Sequence, residues 1–427
     1  MRAIFWFLLL FAIAVALALF AGNNQAMVTV FWPPHRIDLS VNLVLLLSLV
    51  GLLLVYGLLR MLSVLSSLPK QARQWRRQHR VRAMQEALLE TLTQLSAGRF
   101  VRARRAAENL IDQSHALARA ESGSPQDMRL RALAHMLAAQ SAHALRDRPA
   151  REEHMRQAMA LAQDGEHADP HVQEGLQLRA AEWALDDREV ALVQQYLDEL
   201  SQGAARRTAA LRLRFKAARL GGQTQVALET ARLLGKHGAF TAEALPSIVA
   251  GLAIELLQSA HDPAQLMQVW DHLESAERKM PDVVIAAAQR ALSLNAGMTQ
   301  ALRWLLPVWQ QMLASPSALS PEQRIRLVLT LEEGFSQTEG MPDADWLMRI
   351  ESAQAAHPGD VLLQYLAGVA CLRLDLWGKA QVQLSQALPK LRDVRLRKRA
   401  WLAMARLAEQ REDAAAAAEA WRNAALA

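Results

Sequence analysis

The densest group of side chains able to bind charged ligands lies in residues 70–82, which read KQARQWRRQHRVR. The stretch contains no acid and six basic residues, namely Lys70, Arg73, Arg76, Arg77, Arg80 and Arg82. Basic groups at this density bind the phosphates of nucleic acid or of anionic lipid headgroups, and they also fix the orientation of membrane helices. The elements on either side of the stretch decide between these roles.

The distribution of charge argues against nucleic acid. The chain has a formal net charge of +6, and residues 60–82 hold seven basic side chains and no acid. The rest of the chain is close to balance, with 41 basic and 42 acidic residues. A nucleic-acid-binding domain more often spreads its positive charge over a folded surface. We therefore expect the run at 70–82 to act at a membrane surface.

A second basic group, within RRTAALRLRFKAAR, is spaced for one face of a helix. Arg212, Lys216 and Arg219 recur at intervals of three and four residues, so a helix would place them together. Such a stripe can bind the carboxylates of an acidic peptide or of a porphyrin, or it can be an ordinary solvated face. Arg399 and Arg406 form a weaker candidate of the same kind.

Residues for metal or catalytic chemistry are sparse. His167 and His171 have a metal-ligand spacing for a helix, but Pro170 between them indicates a loop. Cys371 is the only cysteine, so no intramolecular disulfide can form, and its apolar neighbours predict a buried thiol. We predict no catalytic residue, no metal site and no evident cofactor, and we leave binding of haem or porphyrin open.

The first sixty residues predict a membrane hairpin. Residues 4–21 and 39–59 are apolar and long enough to cross about 30 Å of hydrocarbon as helices, with residues 22–38 as the loop between them. Two alternatives remain open: the first stretch resembles a cleaved signal peptide, and the second could be a buried core helix.

Flanking charges predict the orientation of this hairpin. Arg2 precedes the first span and the basic run follows the second, whereas the intervening loop offers a single basic residue, Arg36. The positive-inside rule then places both chain termini in the cytoplasm. Phe31 and Trp32 in the loop have the character of interfacial anchors.

The remainder of the chain predicts a helical repeat. After a basic juxtamembrane segment at 60–85, residues 86–427 show helix-period apolar patterns with short breaks. Helical hairpins recur with a small residue at the turn and alanines after it, as with Gly98 and Ala103. This scheme resembles degenerate tetratricopeptide repeats (TPR), although residues 240–340 indicate only helix. The predicted fold class is all-α: a two-helix transmembrane hairpin followed by a TPR-like α-solenoid.

The order of these elements resembles the HemY-type inner-membrane TPR proteins of Proteobacteria. The resemblance rests on the hairpin, the arginine-rich stretch after it, and the segments ALLETLTQLSAGRF, VWDHLESAERKMPDVVIAAAQRAL and LAGVACLRLDLWGKA. It implies an association with late porphyrin and haem biosynthesis, without a catalytic residue. The flavin-dependent protoporphyrinogen oxidase that shares the name is excluded, because no GxGxxG motif follows a strand.

These observations together predict a non-enzymatic scaffold at the bacterial inner membrane, with its repeat domain in the cytoplasm. Its expected partners are anionic lipids and proteins, in particular haem-biosynthesis enzymes, and not nucleic acid. Two alternatives remain: a porphyrin-binding or catalytic component of the same pathway, and a general envelope scaffold unrelated to haem.

Overall fold

The computed structural model describes residues 2–22, 26–120, 125–163, 169–336 and 344–427. The chain forms two compact units, Met1–Asp169 and Pro170–Ala427. Unit 1 contains α1 (Arg2–Gly22), β1 (Met27–Trp32), β2 (His35–Ser40), α2 (Val41–Ser96), α3 (Phe100–Ala120), α4 (Pro125–Ala144) and α5 (Arg148–Ala162). Unit 2 contains α6 (Pro170–Asp186), α7 (Val190–Asp198), α8 (Gln202–Ala205), α9 (Thr208–Leu220), α10 (Thr224–Lys236), α11 (Ala244–Ser259), α12 (Pro263–His272), α13 (Pro281–Ser293), α14 (Met298–Ala314), α15 (Pro321–Ser336), α16 (Ala344–Ala356), α17 (Val361–Arg373), α18 (Trp377–Ala387), α19 (Val394–Gln410) and α20 (Ala414–Leu426).

A β-hairpin occupies most of the predicted loop at 22–38, which corrects the all-α prediction. Strands β1 and β2 pair antiparallel, with Val30 opposite Ile37 and Trp32 opposite His35. The segment MVTVFW is rich in β-branched and aromatic residues, which favour a strand. The hairpin turns at the proline pair that follows Trp32. Phe31 and Trp32 are largely exposed on it.

Helix α2 is longer than the predicted second span. It begins at Val41, after Ser40 caps it by accepting a hydrogen bond from the backbone N–H of Leu43 at 3.3 Å. The described residues contain one stretch that is long and apolar enough to cross a membrane, Val41–Leu62, rather than residues 39–59. The helix then continues through the basic segment at 60–85 to Ser96, so that segment is not a separate element. The first predicted span at 4–21 lies in α1 and stays a prediction.

Unit 1 contains helices that pack as antiparallel pairs. The last turns of α2 pack on α3, α3 packs on α4, and α4 packs on α5. Gly98 has φ of +69° at the turn before α3, as the sequence predicts for a glycine in that place. Ala103, Ala107 and Ala138 are fully buried, because small side chains let the paired helices approach closely.

Unit 2 is a row of helix pairs. We name the first helix of each pair an A helix (α6, α9, α11, α13, α15, α17, α19) and the second a B helix (α7, α10, α12, α14, α16, α18, α20). From α11 to α19 each A helix that follows packs against the A helix before it, and α9 packs against α6. These A helices form a common surface, the A-helix face. This pairing confirms the predicted helical repeat.

The turns between paired helices share one backbone feature. A residue with positive φ stands at the same place in seven of the described turns: Gly98, Arg146, Arg188, Gly222, Asn295, Asp375 and Glu412. Only two of the seven are glycine, which explains why the sequence shows the repeat so weakly.

The middle of unit 2 is the part that its sequence identified only as helical. It forms the pairs α11–α12 and α13–α14, followed by α15. Trp270 stacks on Trp304 with 4.5 Å between ring centroids, and the fully buried Trp309 meets Trp346 edge to face at 5.9 Å. Large aromatic side chains therefore pack between the helices in this part of the chain. In other pairs, alanines let the helices approach each other closely.

Candidate protein-binding surface

The basic run at 70–82 lies within α2, between the apolar stretch and the first packed turns. The backbone of this run is helical throughout, so the run belongs to the same helix as the apolar stretch. Arg82, at its end, is exposed. The membrane-surface role of the six basic residues stays a prediction.

The predicted groove residues lie together on α9, an A helix. Arg212, Lys216 and Arg219 are all exposed, but Arg219 donates to Glu255 of α11 at 2.6 Å. The hydroxyl of Thr224 donates to the same carboxylate at 3.0 Å, and the bond from Arg219 lowers the pKa of Glu255. Arg212 and Lys216 have no ion pair within the part of the chain that the structure describes. Only two of the three cations are thus available to a partner.

Several other arginines of the A helices pair with a carboxylate of another A helix or of its N-cap. Arg326 of α15 donates to Asp282 of α13 at 2.9 Å, and Arg395 of α19 donates to Glu322 of α15 at 3.0 Å. Arg324 of α15 bonds Asp360, the residue that caps α17. We call these ion pairs between A helices the ladder.

One cavity departs from this ladder. It has a volume of about 300 Å³ and lies where α15, α17 and α19 meet on the A-helix face. We call it the arginine pocket. Its polar lining consists of Glu332, Ser336, Arg373, Arg399 and Arg406, and its apolar lining of Val369, Leu372, Leu402 and Ala403.

The arginine pocket holds more positive than negative charge. Glu332 is mostly buried, accepts a hydrogen bond from the Tyr365 hydroxyl at 2.8 Å, and pairs with Arg399 at 3.3 Å. Arg373 donates to the neutral hydroxyl of Ser336 at 2.7 Å. Arg406 has no hydrogen bond or ion pair among the described residues. Three guanidinium groups therefore face one carboxylate.

The electrostatics of the pocket follow from this imbalance. Partial burial and the nearby charge of Arg406 lower the pKa of the Arg373 guanidinium. Burial and the adjacent Glu332 raise the pKa of the Tyr365 hydroxyl, which remains a hydrogen-bond donor. The pocket can accept an anion without first breaking the bond between Glu332 and Tyr365.

Sequence reasoning found only part of this pocket. The sequence predicted Arg399 and Arg406 as a basic pair on the same face of one helix. Both line the cavity. Arg373, Glu332 and Ser336 were missed, because they lie on other helices up to 74 residues away and carry no shared motif. Their only local signal is a charged residue at the end of an apolar helix, which is too common to be informative.

The predicted metal-ligand candidates do not form a cluster. Within the described ranges, no three His, Cys, Asp or Glu side chains come together in a way that could hold a metal ion. His167 lies outside the described residues, and His171 is exposed. Cys371 is buried, and this burial raises the pKa of its thiol.

Comparison with known families identifies the N-terminal part of the chain. Residues 27–146 match the family model described as HemY protein N-terminus. This segment is similar to the N-terminal region of HemY proteins. The HemY match begins with β1 and ends in the turn after α4, so it includes the apolar and basic parts of α2. The match supports the predicted resemblance to HemY-type proteins over residues 27–146.

Solved structures that the chain resembles include three at low identity. The APC/C hetero-tetramer Cut9–Hcn1 gives 13% identity and a TM-score of 0.28, over 80% of this chain and 66% of that one, just under two thirds of its length. NprR in complex with its cognate peptide NprX gives 12% identity and a TM-score of 0.26, over 70% of this chain and 90% of that one. The P58(IPK) TPR domain gives 15% identity and a TM-score of 0.23, over 77% of this chain and 99% of that one. No curated protein sequence matches the chain.

Proposed function

We propose that the protein is a membrane-anchored scaffold that binds other proteins on the A-helix face and holds them at the bacterial inner membrane. Its proposed clients are enzymes of late porphyrin and haem biosynthesis. The main support is the continuity of α2, because a single helix contains the apolar stretch Val41–Leu62 and also packs in the core of unit 1 through Met84 and Ala87. A protein bound to the repeats would stay near the membrane.

The distance between anchor and repeats follows from helix geometry. From Leu62 to Met84 the helix rises about 33 Å at 1.5 Å per residue. The basic run lies in this segment of the sequence. Each basic residue near the headgroups contributes about 1 kcal/mol of attraction to anionic lipid.

The orientation and the client class are proposed on separate grounds. The basic run on one side of the apolar stretch supports a cytoplasmic repeat region by the positive-inside rule. The similarity to the HemY N-terminal region supports the link to haem biosynthesis. Binding on the A-helix face is supported by the surplus cations, Arg212 and Lys216 on α9 and those of the arginine pocket.

The proposal is tested by capturing partners in membranes. The full chain is compared with a variant in which Leu46→Lys and Leu53→Lys interrupt the apolar stretch. Each lysine near the centre of a span costs about 2.5–3.5 kcal/mol of insertion free energy, so the variant should leave the membrane fraction. We expect cross-linked porphyrin-pathway enzymes with the wild type and few with the variant.

The control substitutes Leu89→Lys and Leu92→Lys, which add the same charge at exposed positions of α2 beyond the apolar stretch. This control should retain both membrane association and capture. Failure to recover any porphyrin-pathway enzyme with the wild type would overturn the client assignment. Equal capture by the anchor variant would overturn the role of the membrane.

A further inference from the structure

We infer that the arginine pocket binds an acidic segment of a partner protein, with two carboxylates placed on either side of an apolar side chain. The inference deepens the proposed scaffold function and rests on it. It names the chemistry that one part of the A-helix face recognises.

Two arginines of the pocket lack the carboxylate partner that arginines of the ladder have. In the ladder, Arg326 and Arg395 each have a carboxylate from another A helix within 3.0 Å. In the pocket, Arg373 has only the neutral Ser336 hydroxyl, and Arg406 has no partner among the described residues. The pocket thus repeats the arrangement of the ladder without the carboxylates that complete it elsewhere.

The arrangement disfavours the charge of Arg373 in the chain alone. Partial burial, and then the nearby positive charge of Arg406, lower the pKa of the Arg373 guanidinium. A bound anion relieves this repulsion. Guanidinium groups also match carboxylates geometrically, because their planar N–H groups form two parallel hydrogen bonds.

The apolar lining of the pocket favours a peptide over a small inorganic anion. Val369, Leu372 and Leu402 line the same cavity as the arginines. A phosphate ion would leave this apolar surface uncovered, whereas a peptide with an aliphatic residue between two acids would cover it. The cavity of about 300 Å³ accommodates one such side chain with its flanking carboxylates.

The negative charge of Glu332 should weaken the binding of acidic peptides in the pocket. Its carboxylate already pairs with Arg399 and would repel an incoming acid. The substitution Glu332→Gln keeps an acceptor for the Tyr365 hydroxyl and removes the negative charge. Acidic peptides should therefore bind this variant several-fold more tightly than the wild type.

The test measures binding of a labelled peptide to the purified full chain in detergent. The probe is fluorescein-Ser-Glu-Leu-Glu-Ser, and its neutral counterpart carries Gln in place of both Glu residues. The pocket variant combines Arg373→Gln with Arg406→Gln. The control variant combines Arg303→Gln with Lys398→Gln, which removes the same charge from exposed positions outside the pocket.

We expect fluorescence anisotropy to report binding of the acidic probe to the wild type, at least about tenfold weaker binding to the pocket variant, and wild-type affinity for the control. The neutral peptide should bind no better than the pocket variant binds the acidic one. Melting temperatures of the variants within a few degrees of the wild type would show that the fold is kept.

Three outcomes would overturn the inference. These are no binding of the acidic probe to the wild type, an equal loss in the control, or arginine-dependent binding of protoporphyrin in place of the peptide. The result is independent of the capture experiment. Lost peptide binding with retained membrane partners would refute only the pocket, whereas peptide binding without membrane partners would refute only the scaffold.

Discussion

At the scale of single residues, His135 is a histidine whose protonation the fold controls. It is buried between α4 and α5, with its Nδ1 atom 3.2 Å from that of His154. Burial first, and then the charges of His154, His115 and Arg131, lower its pKa to about 4, against a smaller opposing effect of Glu153. The folded protein therefore keeps this imidazole neutral at pH values where an unfolded chain would protonate it.

This shift predicts a loss of stability in mild acid. Well above pH 6.5, at about pH 7.5 and higher, His135 is almost fully neutral in both states of the chain, so its contribution is constant. As the pH falls from about 6.5 to about 4, the unfolded state gains a proton that the folded state does not bind, and unfolding becomes easier. We expect about 1–2 kcal/mol of this loss at pH 5.

The measurement compares thermal unfolding at pH 7.5 and pH 5 in the wild type and in His135→Gln. The glutamine cannot titrate, so the variant should lose less stability on acidification. His237→Gln, at an exposed position, is the matched control and should follow the wild type. An acid sensitivity that is unchanged in His135→Gln would contradict the assignment.

Spacing along one helix predicts some of the pocket residues and not others. Spacing on one helix found Arg399 and Arg406, because residues seven apart lie on the same helix face whatever the tertiary structure. Arg373 could not be found in this way, since its place beside Arg406 depends on how α17 packs on α19. The same limit explains Arg219, whose partner Glu255 lies on another helix pair.

At the scale of elements, two paired helices approach closely at Gly368 of α17. A Cβ atom at this position would lie 2.7 Å from Cγ and 3.2 Å from the backbone nitrogen of Leu384 in α18. The backbone nitrogen cannot move away without shifting the helix. We expect Gly368→Ala to lower the free energy of unfolding by about 1–3 kcal/mol.

A second glycine provides the matched control. Gly251 lies inside α11 with no neighbouring atom within 4 Å of a Cβ, so Gly251→Ala should stabilise the protein by about 0.5–1 kcal/mol. Thermal unfolding of both variants checks the pair of expectations. If Gly368→Ala were as stable as the wild type, the close packing of α17 on α18 would be wrong.

Two elements differ from what their sequences indicated, for identifiable reasons. The change from apolar to basic composition near residue 60 suggested a boundary, but composition does not end a helix, and α2 continues to Ser96. The β-hairpin was missed because its strands have six residues each and lie between two long apolar segments. The helical repeat was predicted around Gly98, Gly222 and Asp375 alike, because the alanines after each turn keep helical spacing. Only residues 240–340 were predicted as helix without a repeat.

At the scale of the whole molecule, the proposed function depends on two separate parts of the chain, the apolar stretch of α2 and the A-helix face. The apolar stretch of α2 provides an anchor, and the A-helix face provides cations that the chain itself does not neutralise. The sequence predicted both, because hydropathy and helix period are local properties of the chain. It could not predict that Arg373, Arg399 and Arg406 line one pocket around a single carboxylate, because that depends on three helices meeting.

The central claim is that proteins bind on the A-helix face while the chain is in the membrane. It is tested most directly by placing a photoreactive amino acid at Leu402, inside the arginine pocket, or at Arg303, on the B helix α14. Illumination of intact membranes followed by identification of the cross-linked proteins should yield a small set of partners from Leu402, including an enzyme of late haem biosynthesis, and none of them from Arg303. The same partners from both positions, or none from Leu402, would contradict the account.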